Sequence, residues 1–209
     1  MSAGVILVSG FEPFGGSDRN PSADLARALA GTTIHGVRVE ALILPVVTVA
    51  AGDLLAAAID RHAPTAVVAM GEDGRASAIR VESTAVNRRE FASPDNAGNV
   101  LRDEPVVAGG PASLPSTLPT SALVAASRAA GVEAEESPSA GTYLCNEVMY
   151  RLLHRLRGEP SRRGGFLHVP RLPAQGPAPK GGVPMPLDMT LRGVRAMLEA
   201  LAAAGPART

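Results

Sequence analysis

Hydrophobic and polar positions alternate between two rhythms along the chain. Short apolar runs closed by glycine or proline read as strands: GVILVSGF (4–11), VRVEALILPV (37–46), TAVVAMG (65–71) and GGFLHVP (164–170). AIRVESTAVN (78–87) and VEAEE (132–136) read as further, more polar strands. Between them lie segments with apolar residues at helical spacing. NPSADLARALAG (20–31) has Asn20 at the cap, Pro21 at the first helical position and Gly31 at the exit. TVAAGDLLAAAIDRH (48–62) sets Leu54, Leu55, Ala58 and Ile59 on one face. PTSALVAASRAAG (119–131) is a third helix. YLCNEVMYRLLHRL (143–156) carries a stripe of Leu144, Val148, Leu152 and Leu156. LDMTLRGVRAMLEALAAA (187–204) closes the chain with Leu191, Val194, Leu198 and Leu201 inward.

Strand and helix alternate throughout, and the strands are mostly unbroken apolar runs. That pattern predicts an α/β fold: one three-layer α/β/α domain over 1–209, built on a mostly parallel central sheet. In such sheets ligands sit beyond the carboxyl ends of the strands, so strand ends are where chemistry is to be sought. Two stretches rich in Pro, Gly and polar residues, 91–119 and 171–186, are long for a compact domain; such loops are either functional or poorly ordered.

Composition narrows the function classes. With 20 basic and 20 acidic residues among 209, the chain has no electrostatic footprint for nucleic acid or an acidic membrane. The basic run 151–163 reads as a solvated face near a helix C-terminus. One cysteine permits neither an internal disulfide nor a Cys-rich zinc site. The opening MSAGVILVSG lacks a positively charged leader, and the longest apolar run, interrupted by Pro45, is too short to span a bilayer. The expectation is a soluble, cytoplasmic protein. No phosphate-loop, dinucleotide or zinc-protease motif occurs, so no cofactor and no metal is expected.

The lone thiol, Cys145, has two readings. Free cysteine is commonly a buried and inert packing residue. Yet Gly141 and Thr142 break and cap, which puts Cys145 in the first turn of a helix, where free N–H groups and the dipole stabilise a thiolate. A nucleophile needs a base. His62 and His154 lie near helix C-termini, and His35 lies in a turn. His168 stands at the end of an apolar strand, either a satisfied core histidine or a base. Glu82 is the off-pattern carboxylate of AIRVESTAVN: a surface group, or the acid that orients the histidine.

Five segments in order resemble the pyroglutamyl peptidase I family. SGFEPFGG with the NPS that follows is similar to its opening. VESTAVN resembles its Glu-Arg-Val-Ala-Ile-Asn segment, and SPDNAGN its Ile-Pro-Asp-Asn-Glu-Gly loop. SAGTYLCNEVMY resembles its Ala-Gly-Thr-Phe-Val-Cys-Asn segment, and GGFLHVP its Gly-Gly-Phe-Ile-His-Ile-Pro segment. The resemblance implies a cofactor-free cysteine peptidase that removes N-terminal pyroglutamate from peptides. It implies a fold like that of purine nucleoside phosphorylases and assembly as a homo-oligomer, tetramer or dimer. By position Cys145 would be the nucleophile, His168 the base and Glu82 the orienting acid. Phe11 and Phe14 would sandwich the lactam ring, with Tyr143 and Leu144 beside them.

The departures from the family gather near that pocket. GEDGRA stands where the family has Gly-Gln-Ala-Gly-Gly-Arg, so Glu72 replaces glutamine, Arg75 a glycine and Ala76 an arginine. Ser83 and Ala92 stand at two further arginine positions, and Val46 at a threonine. A charged Glu72 in a dry pocket is costly, whereas burial favours its protonated form. Two expectations follow: a loss of activity at alkaline pH, or an ion pair with Arg75. Arg75, Arg88 or Arg89 could replace the missing cations. The rival readings are an amidase or peptidase with the same triad and shifted lactam or acyl specificity, and a non-catalytic lactam- or peptide-binding protein.

Overall fold

The structure is a computed structural model that describes residues 4–205. In chain order its elements are β1 (Val5–Phe11), α1 (Pro21–Leu29), β2 (Thr33–Ile34), β3 (Val37–Leu44), α2 (Ala50–His62), β4 (Ala66–Glu72), β5 (Ile79–Glu82), β6 (Thr84–Val86), β7 (Ser113–Pro115), α3 (Thr120–Ala129), β8 (Ala134–Ser137), α4 (Leu144–Arg155), β9 (Arg163–Val169) and α5 (Leu187–Ala203). Seven strands form one sheet in the order β2-β3-β1-β4-β9-β5-β8, and β6 with β7 forms a separate ribbon. β3, β1, β4 and β9 run parallel, as do β5 and β8. β5 meets β9 antiparallel, and β2 meets β3 antiparallel.

The side-chain period of two feeds two cores. Ile6 and Val8 of β1 join Leu25, Leu123, Val194 and Leu198 beneath α1, α3 and α5. Leu7, between them, joins Leu55, Ile59, Val148 and Leu152 beneath α2 and α4. Each such fully buried aliphatic side chain contributes about 1.5–3 kcal/mol relative to exposure. The helix layers follow: α1, α3 and α5 pack together on one face, α2 and α4 on the other. The expected α/β class with a mostly parallel sheet is therefore what the chain adopts.

Four local expectations change. The stretch 78–87 is not one strand. Its pairing to β9 and β8 ends at Glu82, and Thr84–Val86 leaves the sheet to pair with Ser113–Pro115. The 91–119 segment thus contains a strand and is anchored by turns, as in Phe91 N–H to Leu101 O at 3.0 Å and Asn99 N–H to Asp95 Oδ1 at 2.9 Å. Leu54 does not share the buried face of α2. It is 41% exposed while Leu55 and Ile59 are buried. Finally, α4 has no side-chain cap: Tyr143 stands at its N-cap in extended conformation, and the Thr142 hydroxyl donates to Glu90 O instead.

By contrast α1 starts as the sequence predicts. Asn20 Oδ1 accepts from the Ser22 N–H at 3.1 Å, and Pro21 occupies the first turn. The helix start is pressed onto β1 at Gly10, where a Cβ would lie 2.1 Å from Ser22 O. Ser22 Oγ also accepts from the Phe11 N–H at 2.9 Å. These contacts fix the chain where it leaves β1 as FEPF.

Candidate active site

The parallel strands deliver Phe11, Glu72 and His168 to one edge of the sheet, at the carboxyl ends of β1, β4 and β9. His168 lies opposite Gly71 in the β4–β9 register. Its ring projects to the α4 side, the same side as Phe166 two residues earlier, whose ring centroid lies 4.9 Å away. Glu82 lies opposite Phe166 on antiparallel β5, so His168 is its diagonal neighbour on that face. The consequence is a bond of 2.8 Å between Glu82 Oε1 and His168 Nδ1. Glu82 is buried, so the surface-carboxylate reading is excluded; its second oxygen, Oε2, is buried without a partner among the described residues.

Cys145 sits in the first turn of α4, directly over Gly71. A Cβ on Gly71 would lie 2.9 Å from Cys145 Sγ and 2.9 Å from the Phe166 ring, so only glycine leaves room for the thiol there. Cys145, His168 and Glu82 line one open cleft. Burial, the largest influence on His168, opposes its charged form. The charge of Cys145 and the hydrogen bond to Glu82 outweigh it and hold the imidazolium well above its ordinary pKa. Nδ1 of His168 is therefore held by a carboxylate, and its other ring nitrogen is left without a hydrogen-bond partner among the described residues, in the cleft that Cys145 also lines. An α-helix leaves its first N–H groups without intrahelical partners, and here no capping side chain takes them; the N–H of Glu147 is the first to bond back, to Tyr143 O at 3.1 Å. Those free N–H groups suit a developing oxyanion.

Beside the thiol lies a small apolar slot lined by Phe11, Phe14, Asn20, Val46, Glu72, Tyr143, Leu144 and Cys145. All five pocket residues expected from the sequence line it. Tyr143 also braces a loop: its hydroxyl donates to Pro94 O at 3.1 Å, and its ring meets Phe91 edge-on at 4.7 Å. Burial first, then the charges of Asp95 and Cys145, push its hydroxyl up to about 12, so it stays a neutral donor. Among the described residues no group of three or more His, Cys, Asp or Glu side chains could hold a metal ion, and no helix is long and apolar enough to cross a membrane.

A thiol over Gly71, a strand-end histidine in the same cleft with a carboxylate behind it, and an apolar slot beside them make up the arrangement that the five sequence segments foreshadow. The pyroglutamyl peptidase family model matches residues 4–204. The chain belongs to that family. It is 46% identical to the pyrrolidone-carboxylate peptidase of Chromobacterium violaceum over 194 residues, covering 93% of this chain and 90% of that one. The corresponding enzyme of Gloeobacter violaceus is 43% identical over 196 residues, covering 94% and 96%. The solved pyroglutamyl peptidase I of Bacillus amyloliquefaciens superposes with a TM-score of 0.91 at 31% identity, covering 96% and 97%. A variant of the pyrrolidone carboxyl peptidase of Pyrococcus furiosus does so at 0.90 and 35%, covering 96% and 99%.

Within this family pocket, the departures fall into place differently from the sequence expectation. Arg75 does not pair with Glu72. Its Nε lies 3.2 Å from Asp73 Oδ1, and Arg80 Nη1 reaches Asp73 Oδ2 at 2.7 Å. Arg88 pairs with Glu90 and Asp103, and Arg89 with Glu104 and Glu147. The cation beside Glu72 is Arg171, with Nε 3.3 Å from Oε1, and Gln175 Nε2 donates to Oε2 at 2.9 Å. The Arg171 contact is one of charge rather than an aligned hydrogen bond, since its terminal nitrogens donate to Pro177 O and Gln175 O. Burial raises Glu72 above its ordinary pKa, opposed by Gln175 and Arg171. Burial outweighs these two contacts, so the protonated form expected from the sequence is favoured more than in water. Neither Arg171 nor Gln175 was visible as a site residue, because both lie in the loop 171–186, which has no periodicity to read.

Proposed function

We propose that the chain removes N-terminal pyroglutamate from peptides through Cys145, His168 and Glu82, within one catalytic domain. The observation that carries the assignment is the buried bond between Glu82 Oε1 and His168 Nδ1, with Cys145 Sγ stationed over Gly71 in the same cleft. With Nδ1 held, the other ring nitrogen of His168 takes the proton of the thiol. The thiolate attacks the pyroglutamyl carbonyl, whose electron pair moves to oxygen under the free N–H groups at the start of α4. The carbonyl re-forms, the C–N bond breaks, and the imidazolium gives its proton to the leaving amine. A water, deprotonated by His168, then attacks the thioester and releases 5-oxoproline and the thiol. Phe11 and Phe14 flank the flat ring, and Tyr143 and Leu144 complete the apolar wall. A neutral lactam has no charge to desolvate, which suits such a slot.

A second reading, shifted lactam or acyl specificity, draws on the Glu72–Arg171–Gln175 group at the slot's edge, where a glutamine is expected. Hydrolysis of a pyroglutamyl aminocoumarin amide, with and without iodoacetamide, separates these. Turnover abolished by alkylation and by Cys145→Ser supports the proposal. Folded protein without turnover favours the second reading or a binding role, and turnover undiminished in Cys145→Ser excludes the assigned nucleophile. We further assign the protein to a reducing, cytoplasmic setting, in keeping with its single unpaired thiol, and to a homo-oligomer, which sedimentation would test.

A further inference from the structure

Between β3 and α2 the chain makes a turn that its own sequence disfavours. Val49 has φ 64 and ψ −54, and the Ala50 N–H donates back to Thr48 O at 2.7 Å. This is the rarer, positive-φ γ-turn, which is strained for any L-residue and more so for a β-branched one. Such strain persists only where the surroundings over-determine it.

Three carboxylates do so here, each accepting a backbone N–H of the same short segment. Glu12 Oε1 takes Val46 N–H at 3.0 Å, Asp95 Oδ2 takes Thr48 N–H at 2.9 Å, and Glu147 Oε1 takes Val49 N–H at 2.8 Å. Glu147 does most. It is buried to 1% exposure, and its Oε2 also accepts the Thr48 hydroxyl at 2.8 Å. Arg89 Nη1 donates to that hydroxyl at 3.2 Å and stands 3.7 Å from Glu147 Oε1 as counter-charge. The segment begins with Val46, a wall of the slot beside Cys145, and Glu147 is two residues beyond that cysteine on α4. One carboxylate thereby ties the helix of the thiol to the wall that an acyl group meets.

We propose that Glu147 is a positioning residue of the acyl slot: its carboxylate holds the Val46–Val49 turn in its strained form and so fixes Val46 against the substrate ring. This rests on the reading of the slot as the pyroglutamyl site. Val46 faces a ring that does not change during the reaction, so loosening it weakens substrate and transition state alike, which moves KM and leaves kcat.

The test uses Glu147→Gln, Val49→Gly and their combination, each checked for a native melting transition. Glu147→Gln is expected to raise KM for a pyroglutamyl aminocoumarin about tenfold, with kcat and the iodoacetamide rate of Cys145 within about threefold of wild type. Glycine adopts positive φ freely, so Val49→Gly should restore much of that KM in the double variant. An unchanged KM, a loss confined to kcat, or no rescue by glycine overturns the proposal. Should Glu147→Gln fail to fold, Thr48→Val removes one of its two bonds and must raise KM in the same way. A parallel arm measures protection of Cys145 from iodoacetamide by 2-pyrrolidone. If wild type turns over no pyroglutamyl substrate, the functional reading fails, and the positioning claim then stands or falls on whether Glu147→Gln loses protection that the double variant regains.

Discussion

Replacing Glu82 by glutamine changes one atom and should alter both the rate and its pH dependence. The carboxylate accepts from His168 Nδ1 at 2.8 Å, and Oε2 has no partner among the described residues. In the variant the amide has two choices. With its oxygen toward Nδ1, the NH2 group falls where Oε2 was, a buried donor without an acceptor. With its NH2 toward Nδ1, donor meets donor unless the ring gives up that proton and takes the wrong tautomer. A hydrogen bond to a charged group contributes about 1.5–3 kcal/mol, and burial leaves little solvent to soften the loss. That corresponds to a fall of about 10- to 100-fold in kcat/KM. The pH effect has a definite sign. Glu82 is one of the groups that raise His168, so without it the imidazolium loses its proton at lower pH. Since one pKa unit is about 1.4 kcal/mol, the alkaline limb of kcat/KM should move down by about 1–2 units. The assay is a pH–rate profile with a pyroglutamyl aminocoumarin, alongside thermal melts that verify folding. An alkaline limb in its original place, with kcat/KM within about threefold of wild type, would refute the orienting role of Glu82.

Gly71→Ala sets a methyl against Cys145 Sγ and Phe166, so it should cost about 1–3 kcal/mol of stability and, by displacing the thiol, about 100-fold in kcat/KM. Gly10→Ala instead meets the Ser22 backbone carbonyl, which cannot swing aside, and its melting temperature should fall further than that of Gly71→Ala; the reverse order would contradict the packing. For wild type, KM should rise as pH falls through the raised pKa of Glu72, because protonation removes the negative charge that holds Arg171 and weakens the bond from Gln175. Glu72→Gln should flatten that dependence, and coincident KM–pH curves would exclude it. Asn20→Ala should lower the stability by about 1 kcal/mol through loss of the α1 cap, measurable by chemical denaturation.

The elements with strong periodicity were legible in the sequence. Leu144, Val148, Leu152 and Leu156 read as one stripe and are all buried. The strand-end position of His168 and the off-pattern Glu82 were readable as anomalies, and the five family segments joined them to Cys145. What escaped reading depends on contacts distant in sequence. Strand 78–87 breaks because Thr84–Val86 finds a partner at 113–115, which no local pattern encodes. Leu54 is exposed because α2 offers the sheet a narrower face than its apolar residues would allow. Arg171 and Gln175 reach Glu72 across about 100 residues of chain (103 for the Gln175 bond), from a loop whose composition announces only that it is irregular. Glu147 is an acid in the first turn of α4, a common placement beside the helix dipole, and its bonds to Thr48 and Val49, 99 and 98 residues earlier, leave no local trace.

The strand order has a consequence for how the chain comes into being. β4 and β5 are neighbours in sequence but not in the sheet; β9, made some 80 residues later, is inserted between them. Until β9 arrives, each presents an unsatisfied edge. β9 also carries His168, so the last strand of the chain brings in the residue proposed as the base. A growing chain therefore exposes its thiol before anything can activate it. Hydrolytic competence should appear with sheet closure and not before, so that the return of activity on refolding reports the insertion of a single strand.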